Sequence, residues 1–595
     1  MKYSSIRLAA ILTILATLLV FIPSLDNGFV NWDDGYLIDS YGWRGLSLRS
    51  IRWCFTSLVG GNYKPMVWLS YGADFFSWSL NPAGYHLTNI LLHALNALLV
   101  FVLLLRLCAG KKAPWVAAGA ALLFSLHPLR VESVVWISER KDVLGVFFCL
   151  LSILAYVNYA RVRLPGPAWG GARRARRYYA VSLVFAALAA LSKPTAVSLP
   201  FLLLVIDLFP PGGIKRPPGL LLPDKLPYFG LALLTAAMAF LSQASSHSLG
   251  PLSDIGLGQR LILAGRTWLF YLFRTVYPFN LHSLYPKDPN YAVLTLSSVL
   301  TLIGLLTVTI LFFALRKKGI AWPLFAWLIY LVAWFPISGL VPVGAAWVAD
   351  RFAYLPALGI SLAVYCGLRG RATVQVRIFW CVALVGLSLL AIRQEGYWRD
   401  SNSLWQRTIS LEPRSQFALL NLGNARLAEG ETGEAIALFR RALGLYPGYP
   451  EAHNNLGNAL TELGRVEEAM VSYRKALEFD PDLTEAHNNL ANILAFRKDY
   501  QEAVRHYREA LRIDPDYGEA GYNLGYTLDL MGKKEAAIRE YRHSIRIDPL
   551  NAPAHYRLAL ILVKEDRRAE AVKHLRRALV IRPDFQEARR ALDNI

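Results

Sequence analysis

Cysteine is scarce in this chain, and its scarcity excludes two kinds of protein. The 595 residues contain five cysteines, and none lies beyond Cys381. Cys108, Cys149, Cys366 and Cys381 all fall in or beside apolar segments. A disulfide-stabilised scaffold needs paired cysteines in polar loops, and a structural zinc site needs closely spaced cysteine pairs. The sequence therefore predicts neither a disulfide framework nor a cysteine-based metal site.

Charged residues are also few, at 18% of the chain, whereas 54% is hydrophobic and the mean hydropathy is +0.33. This composition is too apolar for a soluble protein of this size and predicts a membrane protein with a sizeable polar domain. Long apolar runs fill residues 1–393, whereas residues 394–595 are rich in Glu, Arg, Ala and Leu at helical spacing. The net charge of +20 does not indicate a nucleic-acid partner, because most basic residues of the first part lie in short loops between apolar runs.

Apolar stretches of the length that crosses a bilayer, about 17 to 25 residues, predict about eleven transmembrane helices. They lie at 6–25, 87–107, 113–128, 143–160, 178–192, 195–209, 227–243, 293–315, 320–342, 352–368 and 377–393. The first has the position of a signal peptide, but residues 23–27 offer no small-residue cleavage site. We therefore expect an uncleaved anchor.

The loops between these stretches are alternately rich and poor in Lys and Arg, which predicts their orientation because short basic loops stay in the cytoplasm. The basic loop residues are Lys2, Arg7, Arg106, Lys111, Lys112, Arg161, Arg163, Arg173, Arg174, Arg176, Arg177, Lys215, Arg216, Lys225, Arg316, Lys317, Lys318, Arg369, Arg371 and Arg377. With the N-terminus inside, an odd number of spans places the C-terminal domain outside. Segment 260–277, which carries Arg266 and Arg274, fits this parity only as an interfacial or re-entrant helix.

Proline recurs with a fixed period in the polar part of the chain. Successive prolines are separated by 34 residues, the period of a two-helix tetratricopeptide repeat (TPR), at Pro413, Pro447, Pro481, Pro515, Pro549 and Pro583. The sequence thus predicts an α-solenoid of five TPR units at 414–583. A linker with a leading helix at 394–413 precedes the units, and a capping helix at 584–595 follows them.

Asparagines recur at matched positions on the first helices of the repeats. They are Asn421, Asn424, Asn455, Asn458, Asn489, Asn492 and Asn523. Amides at i and i+3 share one helix face, and an amide both donates to and accepts from a peptide bond. The pattern resembles the asparagine ladder of O-GlcNAc transferase repeats, which implies peptide binding on the concave face. The alternative is that these amides bond within the solenoid. Arg557 occupies the matched position of the fifth unit and ends the series.

Six stretches of the membrane part, taken in order, resemble one family. They are FVNWDDGYLI at 29–38, YKPMVWLS at 63–70, NPAGYHLTNILLHALNALLV at 81–100, HPLRVESVVWISERKDVL at 127–144, LSKPTAVSLPFLLLVIDLF at 191–209 and DRFAYLPALGI at 350–360. Together with the TPR tail they resemble the transmembrane and tetratricopeptide-repeat-containing proteins, which are O-mannosyltransferases of the GT-C superfamily. The resemblance implies an all-α fold, with a polytopic GT-C-like domain at 1–393 and its first non-cytoplasmic loop at 26–86.

The same resemblance implies a function. A glycosyltransferase of this kind moves a sugar from a polyprenyl-phosphate donor to Ser or Thr of exported proteins, and the TPR domain would bind the protein acceptor. The short loops and spans resemble those of a bacterial member, so we expect an inner-membrane protein with a periplasmic TPR domain and leave the sugar open. The competing hypothesis is a non-enzymatic, membrane-anchored TPR scaffold for envelope or secretion complex assembly. It predicts that replacing Asp33 and Asp34 leaves function intact.

GT-C enzymes carry an acidic residue at the active site in the first non-cytoplasmic loop, and Asp33 and Asp34 match that position. A weakly acidic hydroxyl needs a base within hydrogen-bond reach, and partial dehydration raises the basicity of a carboxylate. We expect one of the two to be the base and the other to orient the acceptor or bind a cation. Without the resemblance, the same pair is more typical of a helix cap or an Asx turn.

The leaving phosphate calls for fixed cations or a metal. Candidates for binding it on the outer face are Arg140, Lys141, Lys193 and Arg351. Other site candidates are His127, Glu132, Asp142, Asp350 and Tyr354. The alternative is that the cations snorkel to lipid headgroups or pair with Glu139, Asp142 and Asp350. A divalent cation would also neutralise the phosphate, but no His/Asp/Glu spacing resembles a dedicated metal cage, so the cofactor stays open.

Overall fold

The computed structural model of the chain describes residues 2–40, 42–107, 113–162, 170–209, 221–245, 256–285, 293–340, 347–370 and 373–595. Lys111, Lys112, Arg163, Lys215, Arg216, Arg371 and Cys108 lie outside the described residues. Every regular element in the described ranges is helical, which confirms the expected all-α class. The chain divides into two compact units, Met1–Pro413 and Arg414–Ile595.

The helices of the first unit begin where the sequence offers a start signal. Proline opens several of them, because its fixed φ suits the first helical turn, where an N–H has no partner to lose. Their bounds are α1 Lys2–Phe21, α2 Asp34–Asp39, α3 Leu48–Thr56, α4 Pro65–Trp78, α5 Pro82–Leu107, α6 Pro114–Leu126, α7 Val131–Val135, α8 Arg140–Val162, α9 Gly170–Ala190, α10 Leu199–Leu208, α11 Leu226–Ser245, α12 Leu257–Val276, α13 Leu296–Lys317, α14 Trp322–Trp334, α15 Ala357–Leu368, α16 Val374–Gly396 and α17 Ser401–Leu411.

Six helices in the described part of the first unit, α1, α5, α8, α11, α13 and α16, are long and apolar enough to cross a membrane. Shorter apolar helical segments lie at 114–126, 194–208, 322–337 and 357–368, and α9 covers the remaining predicted span. The chain is an integral membrane protein. The number of spans and the orientation stay predictions. Segment 260–277, predicted to be interfacial or re-entrant, coincides with the single continuous helix α12, which ends at Val276.

An aromatic core holds the loop between α1 and α5 against the start of α8. The Trp43 ring lies with its centroid 6.2 Å from that of Trp68 and 6.1 Å from that of Tyr71, and all three side chains are buried. The Tyr71 hydroxyl donates to the carbonyl of Ile137, 2.8 Å away, and so ties α4 to the turn before α8. Gly72 allows the close approach, because a Cβ there would lie 2.7 Å from the carbonyl oxygen of Gly45.

The second unit consists of five helix pairs and a final helix. Their bounds are α18 Gln416–Ala428, α19 Thr432–Leu445, α20 Pro450–Glu462, α21 Val466–Phe479, α22 Thr484–Phe496, α23 Tyr500–Ile513, α24 Gly518–Leu530, α25 Lys534–Ile547, α26 Ala552–Lys564, α27 Arg568–Ile581 and α28 Gln586–Asp593. In the first, second and fourth pairs, an aromatic ring of the second helix lies against a glycine of the first. A Cβ on Gly423 would come within 2.4 Å of the Phe439 ring, and one on Gly457 within 2.5 Å of the Tyr473 ring.

Candidate functional site

Asp34 is a buried carboxylate whose two oxygens are both engaged. Its Oδ1 accepts hydrogen bonds from the Ser138 backbone N–H at 3.0 Å and from the Ser138 hydroxyl at 2.5 Å, and its Oδ2 accepts from Val30 N–H at 3.1 Å. Burial raises the pKa of Asp34 to about 6, against the opposing effect of these donors. Asp34 therefore fixes the first loop to the turn that precedes α8.

Asp33, the neighbouring residue, is half-buried and differs in its contacts. Although it precedes α2, its side chain makes no capping hydrogen bond to that helix. Its carboxylate makes no hydrogen bond or ion pair with any residue in the described part of the chain. Its charge nevertheless acts on Lys64 and Arg351, because it favours the protonated form of both side chains. The helix-cap alternative therefore does not describe Asp33, whose carboxylate is available beside two cations.

Arg351 lies at the centre of a cluster of charged groups. It forms an ion pair with Glu132, and its Nε lies 3.2 Å from Oε1 of Glu139. The same Glu139 oxygen lies 2.9 Å from Nζ of Lys141, so the four side chains form one continuous chain of alternating charge. Arg351 also packs with its guanidinium carbon 5.5 Å from the Trp136 ring centroid. Glu132 and Glu139 together raise the pKa of Arg351 above its ordinary value.

Lys193 and Asp142 form a second ion pair next to this cluster. Ser133 donates to Asp142 Oδ2 at 2.8 Å, which fixes the carboxylate. Lys193, Asp142 and Arg351 line one side of a small cavity, and the rest of its wall is largely apolar. The other lining residues are Val146, Thr195, Ala333, Ile337, Phe352, Tyr354, Leu355 and Pro356. Charged groups and an apolar wall therefore meet in one cavity.

Lys64 belongs to the same surroundings, although the sequence analysis did not single it out. It is only 7% exposed, and its Nζ lies 5.1 Å from the Trp68 ring centroid. Burial and the neighbouring Lys141 lower the pKa of Lys64 to about 8, although Asp33 and Glu139 oppose the shift. The signal that could have revealed it is the Lys-Pro pair that opens α4, because it fixes a cation at the start of a largely apolar helix.

Four of the predicted site residues have other positions or partners. Arg140 is fully buried and forms an ion pair with Asp74. Its Nε donates to Asn89 at 2.8 Å, and its Nη2 to the Tyr85 carbonyl at 2.7 Å. His127 accepts from Leu129 N–H at 3.2 Å, Asp350 accepts from the Tyr285 hydroxyl at 2.7 Å, and Tyr354 lies 2.6 Å from His93 Nδ1. Arg140, His127 and Asp350 are thus occupied with holding the fold, whereas Tyr354 also lines the cavity beside Lys193.

The described residues contain no group of three or more His, Cys, Asp or Glu side chains placed to hold a metal ion. The carboxylates of the cluster are paired with Lys and Arg instead. A divalent cation at this site therefore stays a prediction, and the fixed positive charges present there are those of the protein.

The repeat asparagines of the second unit bond to one another from repeat to repeat. Asn489 Nδ2 donates to Asn458 Oδ1 at 3.0 Å, and the Tyr473 hydroxyl donates to the same oxygen at 2.7 Å. Equivalent amide bonds join Asn455 to Asn424 at 2.8 Å and Asn523 to Asn492 at 3.0 Å. The expected alternative, bonding within the solenoid, is therefore present in the structure.

These bonds occupy only part of each amide. Within residues 414–595, all of which are described, the Nδ2 groups of Asn424, Asn458 and Asn492 make no hydrogen bond and are half-buried on the first helices. Asn421 is different, because it donates to the carbonyl of Phe417. The series ends in the fifth repeat, where Arg557 packs over the Tyr526 ring at 4.5 Å.

Comparison with known proteins identifies the second unit. Tetratricopeptide-repeat family profiles match residues 386–450, 420–484, 484–517, 519–549 and 552–585. The predicted TPR repeats are thus confirmed. Among solved structures, YrrB, a TPR protein with an unusual peptide-binding site, is 22% identical and has a TM-score of 0.27 over 31% of this chain and 96% of its own. MamA is 27% identical, with a TM-score of 0.25 over 27% of this chain and 94% of its own.

The curated relatives are protein O-mannosyl-transferases. Tmtc1 of Drosophila melanogaster is 32% identical over 33% of this chain and 22% of its own length. Human TMTC2 is 36% identical over 18% of this chain and 13% of its own length. This chain contains TPR repeats and is similar to the TMTC O-mannosyl-transferases. It spans about a fifth or less of the length of the relatives that it matches.

Proposed function

We propose that this chain is an integral-membrane glycosyltransferase that moves a sugar from a polyprenyl-phosphate donor to Ser or Thr of exported proteins. The observation that carries the proposal is the unengaged carboxylate of Asp33 beside Lys64 and Arg351. The similarity to O-mannosyl-transferases supports the reaction class. The short loops and spans favour a bacterial inner membrane, and the positions of the basic loops favour a cytoplasmic N-terminus with the repeats in the periplasm.

In the proposed reaction, the acceptor hydroxyl oxygen attacks the anomeric carbon of the sugar. The new glycosidic C–O bond forms as the bond between the anomeric carbon and the phosphate oxygen breaks, and the phosphate leaves on its lipid carrier. The hydroxyl proton passes to Asp33, whose carboxylate is not committed to another group. Asp34 is unsuited to this step because both its oxygens already accept hydrogen bonds from the protein. We assign Asp34 the role of fixing the loop that carries the base.

The donor phosphate would bind among Lys64, Lys141, Lys193 and Arg351. Cations held in place before the reaction stabilise the charge that develops on the leaving group. Arg351 is suited to phosphate because its planar fork matches two oxygens, and it lines the cavity together with Lys193. These cations therefore account for the phosphate of the donor.

Donor affinity is expected to fall at least about tenfold between pH 7 and pH 9, because Lys64, with a pKa of about 8, loses its proton over this interval when no donor is bound. A bound phosphate would raise that pKa, so binding takes up one proton per site above pH 8. The dissociation constant of a non-hydrolysable polyprenyl-phosphate analogue, measured across this range in detergent, checks the expectation. Lys64→Gln should bind more weakly and keep only the part of the pH dependence that comes from Lys193, whose pKa burial lowers to about 7. Lys318→Gln, at an exposed position, should bind as tightly as the wild type and with the same pH dependence. A wild-type affinity that does not change with pH would contradict the role of Lys64.

The repeats would hold the acceptor through the free amide N–H groups of Asn458 and Asn492. Replacing both by Asp preserves the two accepting oxygens, of which that of residue 458 accepts from Asn489 and Tyr473 and that of residue 492 from Asn523 and Tyr507. The free donor of each side chain becomes an acceptor. We expect this double variant to bind unstructured Ser/Thr-rich peptides about tenfold more weakly, since each lost hydrogen bond contributes about 0.5–1.5 kcal/mol. Fluorescence anisotropy with labelled peptides measures the change.

The matched control for the asparagine variants carries the same added charge. Asn551→Asp with Asn594→Asp alters two residues of the same unit outside the asparagine series, and Asp caps α26 as well as Asn does. This control should bind peptide as the wild type does. Equal affinity of the Asn458→Asp, Asn492→Asp protein and the wild type would rule out peptide binding by these amides.

Label transfer tests the proposed function as a whole. Purified full-length protein is incubated with radiolabelled polyprenyl-phosphate sugars and with an extract of exported proteins. We expect label on Ser or Thr of a subset of the extract. Absence of transfer from every donor tried, with the protein shown to be folded, would instead favour a membrane-anchored TPR scaffold.

A further inference from the structure

We propose that the segment between the last membrane helix and the repeats, residues 398–405, positions Asp33 for catalysis. This inference rests on the proposed function, because it assigns Asp33 the role of base. The segment and the first loop are far apart in sequence but joined by direct contacts within the first unit. Gly28, Asn31 and Trp32 make these contacts, and the last two immediately precede Asp33.

Hydrogen bonds join the two segments at several points. The Gly28 N–H donates to the Arg399 carbonyl at 2.8 Å. The Asn31 N–H donates to the Ser401 hydroxyl at 2.9 Å, and Trp405 Nε1 donates to Asn31 Oδ1 at 2.6 Å. Backbone and side chain of the same loop residue are therefore both held by α17.

Ring stacking adds to these bonds. Trp32 lies with its ring centroid 4.4 Å from Trp136, and its plane is nearly parallel to that of Trp398, at 6.4 Å and 6°. Trp405 closes the group at 5.3 Å from Trp32. Trp136, Trp398 and Trp405 are all buried. The backbone just before Asp33 is thus enclosed by a cluster of tryptophans to which the turn after α16 contributes Trp398 and α17 contributes Trp405.

Asp33 depends on this support because its own side chain makes no hydrogen bond with described residues. The backbone on either side sets the orientation of the Asp33 side chain. On one side Asp34 is hydrogen-bonded to Ser138, and on the other side Asn31 is hydrogen-bonded to α17. A displacement of about 1 Å at a reacting group costs about a hundredfold in rate. Ser401 and Trp405 are therefore positioning residues that act through Asn31.

A pair of substitutions at Ser401 tests the inference in the full-length protein. Ser401→Ala removes the oxygen that accepts from Asn31 N–H, whereas Ser401→Thr keeps a hydroxyl there. We expect Ser401→Ala to lower kcat for transfer about tenfold to a hundredfold, with the dissociation constants of a polyprenyl-phosphate analogue and of a Ser/Thr-rich peptide unchanged. Ser401→Thr should restore kcat. Ser410→Ala, the same change elsewhere on α17, should have no effect.

Hydrogen exchange gives a readout that needs no activity. The Asn31 amide should exchange faster in Ser401→Ala and in Trp405→Phe than in the wild type or in Ser401→Thr. Faster exchange together with lower kcat supports the inference, whereas unchanged exchange or faster exchange with normal kcat overturns it. If the wild type itself transfers no sugar, the proposed function fails, and the role of α17 in catalysis fails with it. An active wild type with an unaffected Ser401→Ala variant would refute only the positioning role.

Discussion

Asp33→Asn is expected to lower sugar transfer by about a hundredfold to ten-thousandfold, the range that a general base contributes. The change removes the group that takes the acceptor proton and leaves the shape of the side chain almost unaltered. Since the Asp33 carboxylate makes no hydrogen bond or ion pair with described residues, the thermal unfolding midpoint should stay at the wild-type value. Initial rates of label transfer, with donor binding measured in parallel, check the expectation. Donor affinity should change little.

Asp26→Asn is the matched control, because Asp26 is an exposed carboxylate near the start of the same loop. It should transfer sugar at the wild-type rate. Asp34→Asn is not an equivalent test, since its amide would direct an N–H at the Ser138 or Val30 donors and disturb the loop. If Asp33→Asn retains activity within a few-fold, the base must be another group.

Arg140→Met is expected to destabilise the first unit by about 3–5 kcal/mol, the cost of leaving one partner of a buried ion pair without the other. The Arg140 guanidinium is fully buried, and its removal would leave the Asp74 carboxylate without its cation. The Asn89 side chain and the Tyr85 carbonyl would also lose a donor. A large fall in the thermal unfolding midpoint in detergent, with unchanged donor affinity for the fraction that remains folded, would establish a structural role.

The double variant Arg140→Met, Asp74→Leu provides the control for the buried pair. Removing both charges should recover much of the lost stability, because the double variant leaves no buried carboxylate without a cation. Arg49→Met, at an exposed position, should leave stability unchanged. Normal stability together with weakened donor binding in Arg140→Met would contradict this account and support the sequence-based expectation that Arg140 binds phosphate.

The repeats show how much can be predicted when local signals are strong. The proline period and the small-residue position recur in all five units, and the aromatic position recurs in the first four. The five helix pairs therefore follow from signals that are local to each repeat. The role of the asparagines is less well determined by the sequence, since either peptide binding or hydrogen bonding within the solenoid fits the same spacing. In the structure, the side-chain oxygen of Asn458 accepts hydrogen bonds from within the solenoid, whereas its side-chain N–H stays free. Which of the two groups is free depends on the orientation of this one side chain.

The candidate site shows where prediction from sequence fails. Arg140 and Lys141 are adjacent and equally basic, yet one is fully buried against Asp74 and the other joins the cluster around Arg351. Adjacent residues at the start of a helix point in different directions, so composition and spacing cannot tell them apart. Lys64 was missed for the complementary reason, because its partners come from distant segments of the chain.

The sequence by itself determined the helical class, the membrane part, the repeats and the loop that carries Asp33 and Asp34, because hydrophobic runs, periodic prolines and caps act over a few turns of chain. Only the tertiary structure decided which aspartate is engaged and which is available, which cations lie beside it, and that α17 returns to hold the first loop. These outcomes depend on burial and on contacts between segments hundreds of residues apart. Burial and long-range pairing are properties of the packed chain, and no local pattern encodes them.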